Sequence, residues 1–394
     1  MTVPRDLCAL PVEQPPVLSH APLLRLLQAE RPITRVRTPA GDEAWLVTRH
    51  AEVKQLFVDR RIGRTHPDPE RAPRIVDHAM LEATQLYEHE TEHDEHVQMR
   101  ALLMPYFSAK RMQALQPRVQ ALADRLLDEI AAGARPVDLH RALSIPLSVR
   151  VLCELLGVPY ADHDQFQALV HGMADTSDRR CSDTGQTELI GYVSSLVACK
   201  RDQPTDDVIS GLCEIELPDE IIAGLVAVLL FAGYDSVADA IDLGTLLLLT
   251  NVDQRDAIVR DPGLLTTAVE EILRAADRGG PGLPRYARED IEIGGVTIRA
   301  GEAVLLDTTL ANFDDRVFVE PDRFDVTRAP NPHVSFGHGS WHCLGAPLAR
   351  VELRTVFASL IHRFPTMRLA VPIEQLRGSG AVFTSTLVEL PVTW

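Results

Sequence analysis

The sequence predicts a mainly α-helical chain with a smaller β part, and three observations carry the prediction. Apolar residues recur at helical spacing along most of the stretch from Val97 to Ala276. Within it, Ile221–Leu249 is apolar all round, the pattern of a helix that runs through a core. Alternating, turn-punctuated segments are short and confined to residues 33–48, 291–306 and the C-terminal stretch. A length of 394 residues would by itself suggest two or three domains. No repeat, low-complexity tract or linker interrupts the pattern, so residues 1–394 are expected to form a single domain.

Taken in order, the elements follow from local chemistry. After a proline-rich start, Ile33–Thr38 and Ala44–Thr48 alternate around the turn residues Pro39, Ala40, Gly41 and Asp42, which predicts a hairpin. A short helix covers Val53–Val58. Arg60–Ile75, rich in Arg, Pro and Asp without a period, reads as a long loop of the kind that often binds ligands. Helices are expected over Val97–Phe107, Met112–Ala132, Leu143–Leu156, Ala161–Ala174 and Thr187–Lys200. The polar segment Thr176–Gly185 separates the last two as a candidate mobile connection. Beyond the long helix Ile221–Leu249 come a helix Pro262–Ala276, a hairpin Ile291–Ile293 with Val296–Arg299, a strand Val304–Leu306 and an extended stretch Phe383–Trp394.

Composition excludes some classes of function. A formal net charge of −17 with no basic run speaks against nucleic acid or an anionic membrane as partner. Cysteines at positions 8, 153, 181, 199, 213 and 343 show no C-x-x-C pair, which suits a reducing cytoplasm. Met1–Pro16 lacks the pattern of a signal peptide, and the apolar run Ile221–Gly233 is too short to span a bilayer. A cytoplasmic protein is therefore expected.

Phe336–Gly345 reads F-G-H-G-S-W-H-C-L-G. Gly337, Gly339 and Gly345 allow backbone to turn tightly against a flat ligand. From Leu344 onward Leu348, Val356, Leu360, Ile361 and Phe364 recur at helical spacing with Pro347 in the first turn, so Cys343 stands at the mouth of a helix. Helix dipole and unpaired N–H groups there favour a thiolate, and the loop reads as a haem-iron site. In the long helix, Val228, Ala232, Asp235 and Ser236 share one face, and Gly233 interrupts it. A glycine, a carboxylate and a hydroxyl in a core helix point to a groove where a small ligand lies and a proton is delivered. Glu271 and Arg274 can pair on one helix face, as can His96 and Arg100 on another. His89, Glu90 and His93 fit H-E-x-x-H, yet the surrounding E-H-E-T-E-H-D-E-H is polar on every side, so this reads as a solvated acidic segment and not a zinc site.

Together these positions resemble the cytochrome P450 family, specifically its soluble bacterial haem-thiolate monooxygenases. The resemblance spans nearly the whole chain in the family's order. It runs through H-x-x-x-R at His96 and Arg100, A-G-x-D-S at Ala232–Ser236, E-x-x-R at Glu271 and Arg274, Arg285 in P-R-Y-A, P-D-R-F at Pro321–Phe324, and the cysteine loop. It implies the cytochrome P450 fold, with haem b (iron protoporphyrin IX) between the long central helix and the cysteine loop. By resemblance Cys343 is the axial iron ligand, whose electron donation favours O–O cleavage. His96, Arg100 and Arg285 are the propionate partners, Phe336 packs near the sulfur, and Ala232 lies against the haem. Glu271, Arg274 and Arg323 brace the loop. Asp235 and Ser236 guide protons to dioxygen.

The resemblance further implies a small organic substrate, of the secondary-metabolite kind, lying against Val228, Phe231, Ala232 and Leu283. The loop Arg60–Thr91 and the segment Pro281–Pro284 close the pocket. Electrons come from a ferredoxin-type partner and its reductase, with Lys110, Arg111 and Arg350 as basic contacts. Two departures stand out. Ser236 replaces the usual threonine and loses the methyl that stiffens χ1. Trp341 occupies the position two before the cysteine where a basic propionate partner commonly stands, while the histidine is His342. Oxidative coupling of aromatic or peptide-like groups without oxygen insertion is an alternative chemistry, and a non-catalytic haem sensor is an alternative of another class.

Overall fold

In the computed structural model, residues 7–10, 17–75, 87–162, 165, 168–169, 179–276, 282–378 and 387–394 are described. The short β1 (Cys8–Ala9) is followed by α1 (Pro22–Glu30), which opens on a proline in its first turn and which the sequence reading missed. The predicted hairpin forms as β2 (Ile33–Arg37) and β3 (Glu43–Val47), paired antiparallel with Ile33 opposite Val47. Next come α2 (His50–Val58) and β4 (Ile62–Gly63), the latter inside what the sequence reads as loop. The helices α3 (Glu92–Leu103), α4 (Ala109–Ala132), α5 (Ile145–Leu156), α6 (Arg179–Asp202) and α7 (Val208–Cys213) then build the helical body. Strand β5 (Val137–Asp138) lies between α4 and α5.

α6 begins at Arg179, so the part of Thr176–Gly185 within the described residues is helix and not a connection. The expected helix Ala161–Ala174 falls mostly outside the described residues, as do 76–86, 176–178, 281 and 383–386.

The predicted central helix is two. α8 (Asp219–Tyr234) and α9 (Ser236–Thr250) meet at Asp235, which has helical dihedrals of φ −94° and ψ −32°. Ser236 Oγ donates to the Ala232 carbonyl at 3.0 Å, the kind of back-bond that bends helices. Asp219–Thr250 as a whole is 32 residues, long and apolar enough to cross a membrane, which corrects the expectation drawn from Ile221–Gly233 alone. Here it packs as a core element: α8 lies against α5 and α6, and α9 against α11 and α13.

The chain continues through α10 (Val252–Arg260), α11 (Leu265–Ala276), β6 (Leu283–Ala287), the hairpin β7 (Ile291–Ile293) and β8 (Val296–Ile298), β9 (Ala303–Leu306) and α12 (Thr308–Ala311). It ends with α13 (Ala346–Arg363), β10 (Arg368–Leu369) and β11 (Pro391–Thr393). The main sheet runs in the order β1-β2-β3-β9-β6-β4. β3 and β9 are parallel, β9 pairs antiparallel with β6, and β6 with β4. That order seats Arg285, on β6 opposite Val304, one strand from the end of β4. The larger apolar core joins α4, α5, α8, α9, α11 and α13, and a second cluster lies under the sheet and reaches Trp341. The site falls where the two meet.

Candidate functional site

The cysteine loop turns through Gly337 and Gly339, with φ of +69° and +63°. At Gly337 a Cβ would meet the Trp341 carbonyl oxygen at 3.0 Å, and at Gly339 it would lie 2.7 Å from Val58 Cγ1. Only glycine fits both places. Gly345 has an ordinary φ of −77°, which corrects the expectation that it too needs glycine's freedom. It caps α13, whose second position is Pro347. Cys343 N–H donates to the Phe336 carbonyl at 2.7 Å and closes the loop.

Cys343 is exposed on the loop, yet enough protein crowds its sulfur that burial raises the thiol pKa. The N–H groups of Gly345 and Ala346, with Arg100 and Arg350, act in the opposite direction and do not outweigh it. The helix mouth thus supplies the predicted donors, but a bound cation is what deprotonates such a thiol outright. The ring of Phe336 lies under the Arg350 guanidinium, 4.7 Å from its centroid.

Beneath the loop, Glu271 and Arg274 form a bidentate pair at 2.8 Å and 2.8 Å with both side chains fully buried. Spacing alone suggested a surface pair; tertiary packing sealed it. Arg274 also donates to the carbonyls of Asn312 and Pro321, both at 2.9 Å. The third member is Arg328, whose Nε donates to Glu271 Oε2 at 3.0 Å. Arg323, expected in that role, points outward and pairs with Glu320, while its backbone carbonyl accepts from Arg328. P-D-R-F therefore contributes main chain and not a charge. Nearby, Arg350 holds Glu270 at 2.7 and 2.8 Å, and His333 Nε2 lies 3.0 Å from the same carboxylate. Burial alone would raise Glu270, but these partners hold it down at about 2.

On the other side of the loop a different set of charges gathers. Trp341 is buried, with the His96 ring stacked on it at 4.0 Å and the guanidiniums of Arg64 and Arg285 at 4.5 and 5.1 Å from its centroid. Arg100 donates to the His342 carbonyl at 2.6 Å. None of Arg64, Arg100 and Arg285 pairs with a carboxylate of a described residue. Burial pushes Arg285 down to about 9 and His96 to about 4, with Arg64 adding to both. Arg285 Nε and His96 Nδ1 are buried without a protein hydrogen bond. Sequence reasoning named His96, Arg100 and Arg285 and missed Arg64, because nothing in a Pro- and Arg-rich stretch singles out one arginine.

His89–His96 is not a wholly solvated segment. Glu92 and His96 are buried, the others half-buried or exposed, and no metal-binding group occurs among the described residues.

Val228, Ala232 and Ser236 form an accessible line along α8 and the start of α9, with Ile221 two turns before. Phe231 is half-buried against the main core, and Leu283 is exposed at the start of β6. Apolar exposure of this kind on a core helix marks a ligand-facing wall.

The residues fit a haem. A single sulfur ligand, an exposed apolar helix face, and cations without carboxylate partners among the described residues match iron, a flat apolar ring and two carboxylates. A family model described as Cytochrome P450 matches residues 262–386. Pentalenolactone synthase of Streptomyces exfoliatus is 44% identical over 99% of this chain and 100% of its own length. The mycinamicin IV hydroxylase/epoxidase of Micromonospora griseorubida is 40% identical, covering 93% of this chain and 94% of that protein. Among solved structures, the substrate-free cytochrome P450 PimD, a polyene macrolide antibiotic pimaricin epoxidase, aligns with a TM-score of 0.90 at 49% identity, over 99% of this chain and 100% of that one. Similarity of that extent, over a fold whose cysteine loop faces a cation-lined rim, places this chain in the cytochrome P450 family as a haem-dependent monooxygenase.

Proposed function

We propose that the enzyme inserts an oxygen atom into a secondary metabolite, with haem b as cofactor and electrons from a separate ferredoxin-type protein and its reductase in the cytoplasm. The observation that carries the substrate reading is the exposure of apolar Val228 and Ala232 on α8 and of Leu283 at the start of β6, which offers contact area with few hydrogen-bonding groups. The activities of the similar proteins, hydroxylation and epoxidation of mycinamicin IV and epoxidation in pimaricin, support the same chemistry.

When bound through Cys343, haem supplies the activation of dioxygen. The chain's own residues do the rest. Val228, Phe231, Ala232 and Leu283 hold the substrate and exclude water. The back-bond from Ser236 leaves the helix bent at Asp235, so a carboxyl and a hydroxyl stand at the end of the wall, where they hold and pass on protons. Arg100, Arg285 and His96 orient the cofactor through its carboxylates. His96 Nε2 faces the Ser340 carbonyl at 3.1 Å, so in the neutral ring Nδ1 is a bare acceptor and donates to an anion only after protonation. For the electron donor, Lys110 is exposed, whereas Arg111 is paired with Asp206 and Arg350 is held by Glu270. Lys110 is the docking cation among the three.

A screen by the iron spin-state change, with mycinamicin IV, pimaricin precursors and pentalenolactone precursors in the panel, followed by product mass, tests this. Gain of one oxygen atom supports the proposal. Loss of two hydrogens from a turned-over substrate would replace it with oxidative coupling, a chemistry that tolerates the weaker proton control Ser236 gives.

A further inference from the structure

We propose that Arg64 is a haem-positioning residue, supplying a propionate contact that the uncharged Trp341 of the cysteine loop cannot make as an ion pair. The inference rests on the haem reading of the recess. It follows from where Arg64 lies and from what holds it there.

Position 341 carries no charge, and its indole cannot form an ion pair. It is not inert, because it forms the floor on which the cationic rim is laid. A guanidinium over a tryptophan face is attracted by the ring's quadrupole, and Arg64 and Arg285 both lie within about 6 Å of the centroid, the range over which that attraction operates. His96 stacks on the same indole. The loop thus keeps a positive edge without contributing a cation of its own.

Arg64 is held by its backbone, and the hold does not use its head group. Its N–H donates to Glu92 Oε1 at 2.6 Å, and the Thr65 hydroxyl and N–H reach Glu92 Oε2 at 2.6 and 3.2 Å. Arg288 Nη1 neutralises the same carboxylate at 3.1 Å. Glu92 belongs to α3, one turn before His96 and two before Arg100, so a single buried carboxylate ties the end of β4 to the helix carrying Arg100. Gly63 makes room for this: a Cβ there would fall 2.5 Å from Glu92 Oε2. The Arg64 guanidinium itself makes no hydrogen bond to a described residue. Arg64 and Arg285 over one aromatic floor, with Arg100 close enough to act on Arg64, repel each other, and an arrangement of that kind persists where an anion joins them.

The test compares holoenzyme variants by haem loss to excess apomyoglobin, by the midpoint potential of the iron, and by the carbon-monoxide spectrum. Arg64→Ala is expected to lose haem at least tenfold faster and to show a lower potential, because an uncompensated carboxylate stabilises the ferric state. Arg64→Lys should recover part of both. The double variant Arg64→Ala/Trp341→Arg, which places a cation in the loop, should restore retention to within about threefold of wild type. The red-shifted carbon-monoxide band is expected in every variant, since it reports Cys343 and the haem reading separately. Haem loss and potential unchanged in Arg64→Ala would overturn the assignment. So would equal loss in Arg64→Ala and in the double variant at unchanged melting temperature.

Discussion

Two groups of arginines lie on opposite sides of the cysteine loop, and they are built on opposite principles. Beneath it, Arg274, Arg328 and Arg350 each hold a carboxylate, with Glu271 at the centre accepting also from Asp325 N–H and Asn331 Nδ2. Around Trp341, Arg64, Arg100 and Arg285 hold none among the described residues. In the first set three arginines share two carboxylates, Glu270 and Glu271, and the pairing makes the loop rigid. In the second, charge is left without a carboxylate partner among the described residues in a partly dry place, which is unfavourable for those residues alone and favourable for a dicarboxylate ligand. Pairing, and not residue type, separates the arginines that brace the fold from those with no carboxylate partner among the described residues.

The comparison can be broken at its centre. Cys343→Ser should abolish the red-shifted carbon-monoxide band of the reduced protein. Its persistence would remove the haem-thiolate site from between the two groups.

Next in size is the paired side. Glu271→Ala leaves Arg274 buried with no counter-charge and should destabilise the fold by roughly 3–5 kcal/mol, read from urea denaturation. A loss under about 1 kcal/mol would mean that the pair is more solvated than its burial indicates.

On the unpaired side the sign should differ. Arg285→Gln removes a desolvated charge, so the haem-free protein should melt no lower than wild type, while haem retention falls at least tenfold. A destabilised haem-free variant that keeps its haem would place Arg285 with the structural group.

Protonation probes the paired side more gently. Glu270 sits at about 2 in the folded protein against an ordinary 4.5, so its contribution is complete above the unfolded value and is lost as pH falls from about 4.5 towards 2. The shift corresponds to an effect on the order of 3 kcal/mol. Melting curves of wild type and Glu270→Gln should differ at pH 6 and converge near pH 2; a constant gap would contradict the linkage. Least of all, Arg323→Ala should change stability by no more than about 0.5 kcal/mol, since its side chain is exposed and only its carbonyl is used.

Much of this was readable in advance because it is local. Cys343 at a helix mouth, Pro347 in the first turn and the hairpin Ile33–Val47 depend on neighbours within a few residues. The bend at Asp235 was signalled by a glycine, an acid and a serine in a core helix, though its form, two helices meeting, was not. The role of Arg328 was misassigned to Arg323 because both lie in a charged stretch, and only the packing of 319–328 around Glu271 decides which one turns inward. Arg64 was missed because β4, its pairing with β6 and the grip of Glu92 are long-range.

The sequence by itself determined the family, the cysteine loop, the helical body and the acid–alcohol pair, since these rest on ordered short motifs and helical periodicity. Tertiary structure alone decided which charges are paired. Pairing is set by which side chains are desolvated together, and residues up to 60 apart meet at Glu271, while Arg64 and Trp341 meet from different elements. Burial makes each such choice energetically large, and burial is not written in any local window of the chain.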